Sequence, residues 1–446
     1  MEIQKKEKEV MTYEMAMEYI DSLQSYGSVP GLYNIIQLCE KLGNPQNGLR
    51  FVHIAGTNGK GSTLAFVSTI LKEAGYCVGR YISPTIFEYR ERIQVNGRMI
   101  TKKDLCRLLT VVKDACECLV KEGKPHPTPF EVETALGFLY FKEKNCDLVV
   151  LETGLGGKLD ATNLIQNTLV AVIASVSMDH MAILGKTLKE IAEQKAGIIK
   201  PGCRVVSALQ QPEVSEVISK RCKECDVPLT IADSNRVTKI KSTLEKQRFS
   251  YEDYQNLEIA LIGRYQIDNA VLAVETIKAL SACGYLISEK AVFKGLKAAK
   301  WQGRFELLCK KPLFLADGAH NRDGAARLAQ SIEFYFTNKK ILYIMGMLRD
   351  KEQEEVIQKC VPYAWQVLTV PTKGTRGTSS YELACEVSKY HNNVTALDSV
   401  QEAVELSFLL ADKDTVIIAF GSLSYLGELI TTVMNKDKIR SDSHGQ

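Results

Sequence analysis

The sequence lacks both a long hydrophobic run and a marked excess of one charge. Its longest apolar stretches, such as residues 169–176, are well short of the roughly 18 residues that predict a membrane-spanning helix. The 446 residues carry 56 basic and 53 acidic side chains, a formal net charge of +3, which gives no reason to expect a nucleic acid or a membrane as partner. Residues 1–10 are charged and lack the apolar core of a secretory signal. We therefore expect a cytoplasmic protein, and the charge balance leaves small anionic substrates open.

Cysteine is plentiful, but its spacing predicts neither a metal site nor a disulfide framework. The thirteen cysteines are scattered and lie mostly within apolar segments, as reduced core thiols do. Cys222 and Cys225 form one CxxC pair, and no second ligand pair lies at zinc-site spacing from it. We expect buried thiols rather than a structural metal or a redox centre.

Short apolar runs alternate with helical patterns along almost the whole chain, and this alternation predicts a parallel α/β architecture. A composition of 45% hydrophobic and 24% charged residues is typical of a globular protein with a large core. The strand candidates form a first series at residues 51–55, 148–152, 169–176 and 204–208, and a second series at residues 313–316, 341–345, 367–370 and 415–420. We place a domain boundary between the two series, near residues 297–303.

A glycine-rich loop follows the first strand candidate and precedes a helical pattern over residues 64–74. Glycine lets backbone N–H groups approach phosphate oxygens, the helix N-terminus favours an anion, and the loop lysine supplies an ammonium for the terminal phosphates. A strict Walker motif would have glycine at position 54 and serine or threonine directly after the lysine, whereas Ile54 and Gly61 stand there. The pattern therefore predicts a variant ATP-binding loop, which consists of Gly56, Thr57, Asn58, Gly59, Lys60, Gly61 and Ser62.

Two further strand candidates end in polar residues that suit metal and phosphate chemistry. Glu152 ends one strand and precedes a glycine cluster, but a dinucleotide fingerprint would need glycine at position 159, where Leu159 stands. A carboxylate at this edge suits Mg²⁺ instead. His180 follows the next strand, so it is expected beside Glu152 in a parallel sheet. Lys195 lies in a later helical pattern and, on composition alone, would be a solvated surface lysine.

The motifs GTNGKGS, LETGLGGKLDATN, SMDH, QKAGII, GRYQIDNA, WQGRFE and DGAHN occur in this order. Together they resemble the folylpolyglutamate synthase and dihydrofolate synthase family of the Mur ligase superfamily, over residues 50–430. The resemblance implies an α/β fold with an N-terminal P-loop-type ATPase domain, built on a mainly parallel sheet, and a smaller Rossmann-like α/β C-terminal domain. It places the ATP- and folate-binding domain at residues 1–298, the glutamate-binding domain at residues 299–436, and a polar tail at residues 437–446.

The resemblance also assigns roles to single residues. It implies that Lys60, Glu152, His180 and Lys195 are catalytic, that Lys195 is carbamylated, and that two Mg²⁺ ions are bound. The implied metal ligands are Ser62, Ser83, Glu152 and His180. The implied ATP contacts beyond the loop are Asn269, Arg304 and Asp317. Ser83 also lies in a segment that is similar to the family's mobile substrate loop, and His320 and Ser422 are the implied substrate contacts for incoming glutamate. Where the family has a tyrosine shortly after that serine, this chain has Ser424, followed by Tyr425.

The activity that the resemblance implies is ATP-dependent ligation of L-glutamate to the terminal carboxylate of a folate through an acyl phosphate, by a monomer. The sequence leaves open whether dihydropteroate is also a substrate. One alternative is a Mur-type ligase acting on a UDP-linked peptidoglycan precursor, which the roughly 50 residues before the phosphate loop disfavour. The others are a P-loop kinase or NTPase that forms no amide and a non-catalytic ATP-binding module.

Overall fold

The structure is a computed structural model that describes residues 10–27 and 30–444. Within these ranges the chain forms three β-sheets, with helices packed on the two larger ones. The α/β class predicted from the sequence is confirmed. No helix in the described part of the chain has the length and apolar character needed to cross a membrane.

The first sheet is mainly parallel. Its strands are β1 (Phe51–Ala55), β2 (Val78–Tyr81), β3 (Ile93–Val95), β4 (Arg98–Met99), β5 (Leu148–Glu152), β6 (Thr168–Ile173), β7 (Arg204–Ala208) and β8 (Leu229–Ala232). Their spatial order is β4-β3-β2-β5-β1-β6-β7-β8. Strands β2, β5, β1, β6, β7 and β8 are parallel, whereas β3 and β4 form an antiparallel edge. This short edge was not predicted, because strands of two or three residues carry no readable period.

The helices that belong to this part of the chain follow most of its strands. They are α1 (Tyr13–Ser22), α2 (Tyr33–Lys41), α3 (Lys60–Glu73), α4 (Lys102–Lys121), α5 (Pro129–Glu143), α6 (Met181–Leu184), α7 (Leu188–Ala196), α8 (Pro212–Cys225), α9 (Tyr265–Ala282) and α10 (Glu289–Ala298). Helix α3 begins at Lys60, four residues before the predicted start. Gly59 has φ of +88°, a conformation open to glycine, and this lets the chain turn from the loop straight into the helix.

A small antiparallel sheet and a second large sheet complete the fold. The small sheet contains β9 (Val237–Ser242), β10 (Gln247–Tyr251) and β11 (Tyr254–Ile259). The second large sheet contains β12 (Glu306–Lys310), β13 (Leu313–Ala316), β14 (Lys340–Met345), β15 (Ala364–Thr369), β16 (Val394–Ala396) and β17 (Thr415–Phe420). Its order is β12-β13-β17-β14-β15-β16, and only β12 is antiparallel to its neighbour.

The helices of the second sheet are α11 (Arg322–Tyr335), α12 (Gln353–Cys360), α13 (Ser380–Ser388), α14 (Val400–Leu410) and α15 (Leu423–His444). Helix α15 runs through most of the segment expected to be a polar tail. Residues 434–444 contain neither proline nor glycine, so nothing in them ends a helix. The last two residues of that expected tail, 445–446, lie outside the described residues, as do residues 1–9 of the charged N-terminal segment.

Strand β1 is the centre of the first sheet and is buried over its whole length. Successive side chains of a strand point to opposite faces. Val52 and Ile54 pack in one core with residues of α3 and α9, whereas Phe51 packs in another with residues of α4 and α5. The carboxyl ends of the neighbouring parallel strands β1, β5 and β6 meet at one edge of the sheet, and the loops at that edge follow buried strands.

Candidate active site

A cleft of about 840 Å³ lies where the carboxyl edge of the first sheet meets loops of the second. It is lined by polar and apolar residues from both parts of the chain, and every site residue predicted from the sequence is among them. These residues are Gly56, Thr57, Asn58, Gly59, Lys60, Gly61, Ser62, Ser83, Glu152, His180, Lys195, Asn269, Arg304, Asp317, His320 and Ser422. The structure thus brings together residues that are up to 366 positions apart, as far as Gly56 and Ser422 (422 − 56).

The glycine-rich loop is anchored by its first half and open in its second. The backbone N–H groups of Thr57 and Asn58 donate to the Ser175 carbonyl, at 2.7 and 3.3 Å. These two N–H groups are therefore already engaged. The first N–H groups of helix α3, from Lys60 onward, have no acceptor within the helix, as at any helix N-terminus. They make the start of α3, rather than the first half of the loop, the anion-binding part.

Two neighbours explain why glycine is needed inside the loop. A Cβ atom at Gly59 would lie 2.4 Å from Oδ1 of Asn269, so the Asn269 amide rests against the loop backbone. A Cβ atom at Gly61 would lie 2.4 Å from Cζ2 of Trp301. The departure from the Walker spacing at position 61 thus has a steric cause, since the Trp301 indole fills the space that a serine or threonine would need.

Glu152 is a buried carboxylate that faces the cleft from the end of β5. Burial raises the pKa of Glu152 to about 7, while the nearby cations of Lys60 and Arg304 oppose that rise. The Nζ atom of Lys60 lies 3.9 Å from its Oε1. The group is therefore poised between its two protonation states near neutral pH, and an added cation would stabilise the carboxylate.

Lys195 is buried, contrary to the composition-based expectation of a surface lysine. Its Nζ donates to the Gly56 carbonyl at 2.9 Å, directly below the phosphate loop. Burial, with a contribution from Lys60, lowers the pKa of Lys195 to about 7. A considerable fraction of this amine is therefore unprotonated, and nucleophilic, at neutral pH.

His180 follows β6 and precedes α6, with φ of 50°. Its Nε2 lies 3.7 Å from Oδ1 of Asp179 and 3.3 Å from Nζ of Lys351. Burial lowers the pKa of His180 below its usual value, so the imidazole is neutral and able to act as a ligand or acceptor at pH 7. Lys351 comes from the second sheet, and this contact between the two parts of the chain was not predicted.

Asp179 is a cleft residue that the sequence analysis overlooked. Lys351 donates to its Oδ1 at 3.2 Å, and the Asn321 amide donates to its Oδ2 at 2.9 Å. Burial alone would raise the pKa of Asp179, but Lys351 and His180 hold it well below its usual range. The SMDH motif contained the signal, since Asp179 directly precedes His180, but its partner Lys351 is 172 residues away.

Asp317 holds the second-sheet side of the cleft together. Its carboxylate accepts hydrogen bonds from the N–H groups of Phe305 and Ala319, both at 2.7 Å, and from the hydroxyl of Tyr265 at 3.0 Å. Burial raises the pKa of Asp317, and Arg304 opposes that rise. The Arg304 guanidinium packs so close to Gly318 that a Cβ atom there would lie 2.2 Å from it. The Asp317 carboxylate therefore already accepts three hydrogen bonds, two from the local backbone and one from Tyr265.

His320 and Ser422 line the same cleft. The Nδ1 atom of His320 lies 2.8 Å from the Gly318 carbonyl, so Nδ1 carries the proton and Nε2 is left as an acceptor. Burial lowers the pKa of His320 to about 4. The hydroxyls of Ser422 and Ser424 lie 2.9 Å apart. These three side chains form a small neutral polar group beside the cations of the cleft.

The side chains that the resemblance assigns to a metal all line this cleft. In the part of the chain that the structure describes, no three His, Cys, Asp or Glu side chains converge as a metal cluster. Glu152 and His180 with the hydroxyls of Ser62 and Ser83 line the same cleft, however, and a buried carboxylate and hydroxyl oxygens are ligands that Mg²⁺ accepts alongside phosphate oxygens and water.

Comparison with known proteins agrees with this arrangement. Residues 54–277 match the Mur ligase middle domain, and residues 303–423 match the Mur ligase glutamate ligase domain. The dihydrofolate synthase/folylpolyglutamate synthase of Bacillus subtilis is 34% identical over 426 residues, which cover 94% of this chain and 98% of the relative.

Solved structures of the same kind superpose over nearly the whole chain. Folylpolyglutamate synthase from Thermotoga maritima has a TM-score of 0.83 at 33% identity and covers 95% of this chain and 98% of its own. The Mycobacterium tuberculosis folylpolyglutamate synthase complexed with ADP and AMPPCP has a TM-score of 0.86 at 27% identity, with coverage of 94% and 99%. The chain belongs to the folylpolyglutamate synthase/dihydrofolate synthase family of Mur ligases, as its motifs predicted.

Proposed function

We propose that this protein ligates L-glutamate to the terminal carboxylate of a folate, with ATP as the source of energy and an acyl phosphate as intermediate. The observation that carries this proposal is the convergence in one cleft of the phosphate loop and Glu152 from the first sheet with Arg304, His320 and Ser422 from the second. An NTPase needs only a nucleotide site, and a kinase needs one acceptor site beside it. An amide ligase needs a third binding region beside the phosphates, and the second sheet supplies it.

The first step is transfer of the γ-phosphoryl group. A folate carboxylate oxygen attacks the γ-phosphorus, a P–O bond forms, and the bond to ADP breaks. We propose that the ammonium of Lys60, whose Nζ donates to the Gly56 carbonyl at 3.1 Å, and the first N–H groups of α3 stabilise the negative charge on the transferred group. Arg304 adds a second cation from the opposite wall, and its planar guanidinium suits phosphate oxygens.

The second step is formation of the amide. The neutral amine of glutamate attacks the acyl carbon, a C–N bond forms, phosphate leaves, and the amine loses one proton. His320 presents an unprotonated Nε2 and Ser422 a hydroxyl on the side of the cleft that the second sheet forms. We propose that these two groups bind and orient glutamate, so that its amine faces the acyl phosphate.

We propose Mg²⁺ as two ions, with Ser62, Ser83, Glu152 and His180 as the protein ligands. When bound, the metal would neutralise charge on the phosphates of ATP. The chain's own contribution is a desolvated carboxylate, Glu152, whose ionised form gains from any added positive charge.

We propose that Lys195 is carbamylated. Its neutral Nζ would attack the carbon of CO₂, forming an N–C bond and releasing one proton to solvent. The amine would thereby become an anionic carbamate, whose oxygen atoms can bind a metal. The support is the low pKa and the place of Nζ under the phosphate loop. In ¹³C-bicarbonate, a carbamate NMR signal should grow as the pH rises through 7 and should be missing in Lys195→Arg. A signal that persists in Lys195→Arg would mean that another amine reacts.

We further infer that residues 1–298 and 299–436 act as two domains, and that the enzyme is a cytoplasmic monomer. A cleft that is complete within one chain supports the monomer. No cysteine forms a disulfide in the described part of the chain, which supports a reducing compartment.

The test of the activity is ADP release coupled to mass spectrometry of the products. The purified protein should release ADP only with glutamate and an acceptor present, and the acceptor should gain one glutamate residue. Because the B. subtilis relative is named for both activities, we expect tetrahydrofolate and dihydropteroate both to be extended. Glutamate-independent ADP release would favour a kinase or NTPase, and extension of a UDP-linked peptidoglycan precursor would favour the other branch of Mur ligases.

A further inference from the structure

One buried titratable residue has no part in the chemistry described so far. His53 lies in the middle of β1, paired in register with Leu151 of β5 and Ala171 of β6. It is fully buried, and it does not line the cleft. A buried strand position usually holds an apolar residue. Burying a polar imidazole there costs free energy unless the imidazole forms hydrogen bonds.

The imidazole begins a chain of three hydrogen-bonded side chains. Nε2 of His53 lies 2.9 Å from the hydroxyl oxygen of Thr162. The Thr162 hydroxyl lies 2.5 Å from Oδ1 of Asp160. The carboxylate of Asp160 also accepts the N–H groups of Leu155, at 2.7 Å, and of Thr162, at 3.0 Å.

The direction of every bond in this chain is determined by its far end. Two partners of Asp160 are backbone N–H groups, which can only donate, and an ionised carboxylate accepts from the Thr162 hydroxyl as well. The single hydroxyl proton of Thr162 therefore points to Asp160, and the Thr162 oxygen is left to accept. His53 must then donate from Nε2. Its Nδ1 has no hydrogen-bond partner among the described residues, which agrees with an unprotonated Nδ1.

Asp160 in turn holds a loop of the cleft, residues 153–160. This loop lines the cleft through Thr153, Gly154, Leu155, Gly156, Leu159 and Asp160. It packs tightly against other cleft walls. A Cβ atom at Gly154 would lie 2.5 Å from Cζ of Phe130, and the N–H of Lys158 donates to the Gln194 carbonyl at 2.7 Å. A small shift of Asp160 would therefore disturb loop 153–160 as a whole, because its close contacts leave the loop no space in which to rearrange.

We propose that His53 is a positioning residue for the acceptor substrate. By donating from Nε2 to Thr162 it directs the Thr162 proton to Asp160, and Asp160 thereby holds loop 153–160 as the wall against which the folate or pteroate acceptor binds. These hydrogen bonds end at loop 153–160 and not at the phosphate loop, so we expect a larger effect on the acceptor than on ATP. The choice of substrate rests on the function proposed above.

Matched pairs of variants test the proposal in the full-length protein. His53→Leu and Thr162→Val each remove one link while keeping bulk, whereas His53→Gln and Thr162→Ser each keep a donor or a hydroxyl. We expect the first two to raise the KM for tetrahydrofolate about tenfold, the effect of losing one buried hydrogen bond, and to leave the KM for ATP within about twofold. The conservative variants should recover most of the affinity.

The double variant His53→Leu/Thr162→Val should be no worse than the worse single variant, because both changes break one chain. Equal increases in the KM for ATP and for tetrahydrofolate, or additive effects in the double variant, would show that His53 only fills the core and would overturn the proposal.

A second measurement does not depend on catalysis. Long-range ¹H–¹⁵N NMR of the wild-type chain distinguishes the tautomers of its six histidines. We expect one imidazole to remain in the neutral Nε2–H form from pH 6 to pH 8 and to be lost in His53→Gln. An Nδ1–H tautomer for His53 would reverse the bond to Thr162 and overturn the proposal. If the wild type ligates no glutamate, the proposed function fails, while the tautomer still decides the hydrogen-bond direction.

Discussion

The ammonium of Lys351 lies 3.2 Å from the carboxylate of Asp179, and this ion pair joins the loop after β14 to the loop after β6. Both side chains are largely buried, with exposed fractions of 10% and 12%. The Asn321 amide binds the other oxygen of the same carboxylate. The second sheet thus neutralises and holds a carboxylate directly adjacent to His180, the residue proposed to bind metal.

Removing the ammonium should uncouple the two sides of the cleft. We expect Lys351→Met to lower kcat/KM for glutamate by about 10- to 100-fold, because loss of a charge-assisted hydrogen bond costs roughly 1.5–3 kcal/mol. Steady-state ADP release at varied glutamate measures the effect. Lys373→Met is the matched control, since its partner Glu428 lies 2.7 Å away but Lys373 is 83% exposed. If Lys351→Met showed wild-type kinetics, Lys351 would not contribute to the activity of the site.

Glu152 should make the ligand-free protein less stable as the pH rises. Burial raises the pKa of Glu152 from its ordinary 4.5 to about 7, so between these values the folded chain binds a proton that the unfolded chain does not. The stabilisation from this group is complete below pH 4.5 and is lost as the pH rises through 7. Glutamine is neutral throughout, so we expect Glu152→Gln to unfold at a higher temperature than wild type at pH 8 and at a similar temperature at pH 5.

The size of that difference has an upper limit of about 3–4 kcal/mol, at roughly 1.4 kcal/mol per pKa unit, and this limit already includes the opposing effect of the Lys60 ammonium. Differential scanning calorimetry without nucleotide or metal measures it. Glu193→Gln, at an exposed position of α7, is the control and should show no pH-dependent difference. A lower unfolding temperature for Glu152→Gln at pH 8 would mean that its interaction with Lys60 outweighs the cost of burial.

The sequence predicted the α/β fold and predicted residues that lie in one cleft, because the motifs lie at strand ends and parallel strands end at one edge. This rule placed the phosphate loop and Glu152 in the same cleft, where the structure has them. What escaped prediction depends on contacts between distant segments. The burial of Lys195 results from its position beneath Gly56, 139 residues earlier, and the role of Asp179 depends on Lys351. No local period or propensity carries that information.

The departure of the loop from the Walker spacing is a second feature whose cause is a contact between distant segments. Gly61 was visible in the sequence as an exception, but its cause is Trp301, which lies 240 residues later (301 − 61) and packs on the loop. Only the tertiary structure explains why glycine follows the lysine here.

That contact leads to a third prediction. A serine at position 61 would restore the Walker spacing but would place Cβ 2.4 Å from Trp301, so we expect Gly61→Ser to raise the KM for ATP and to cost about 1–3 kcal/mol of stability, as overpacking does. In a Trp301→Leu background the same change should cost less. Thermal unfolding and ATP kinetics of the four proteins form a double-mutant cycle. Gly48→Ala, where no atom lies within 4 Å, is the control, and additive effects would contradict the steric explanation.

We expect a substitution of Ser424 to change substrate binding and a substitution of Tyr425 to change the stability of the fold. Ser424 lies in the cleft with its hydroxyl 2.9 Å from that of Ser422, whereas the Tyr425 hydroxyl is buried 2.7 Å from the Phe420 carbonyl. Tyr425 is thus occupied by the core and does not take the place of the family's tyrosine. We expect Ser424→Ala to raise the KM for glutamate several-fold without a change in Tm, because one neutral hydrogen bond contributes about 1 kcal/mol. Tyr425→Phe should lower Tm and leave the KM for glutamate unchanged. The opposite pattern would place Tyr425 at the substrate, and the two variants therefore control each other.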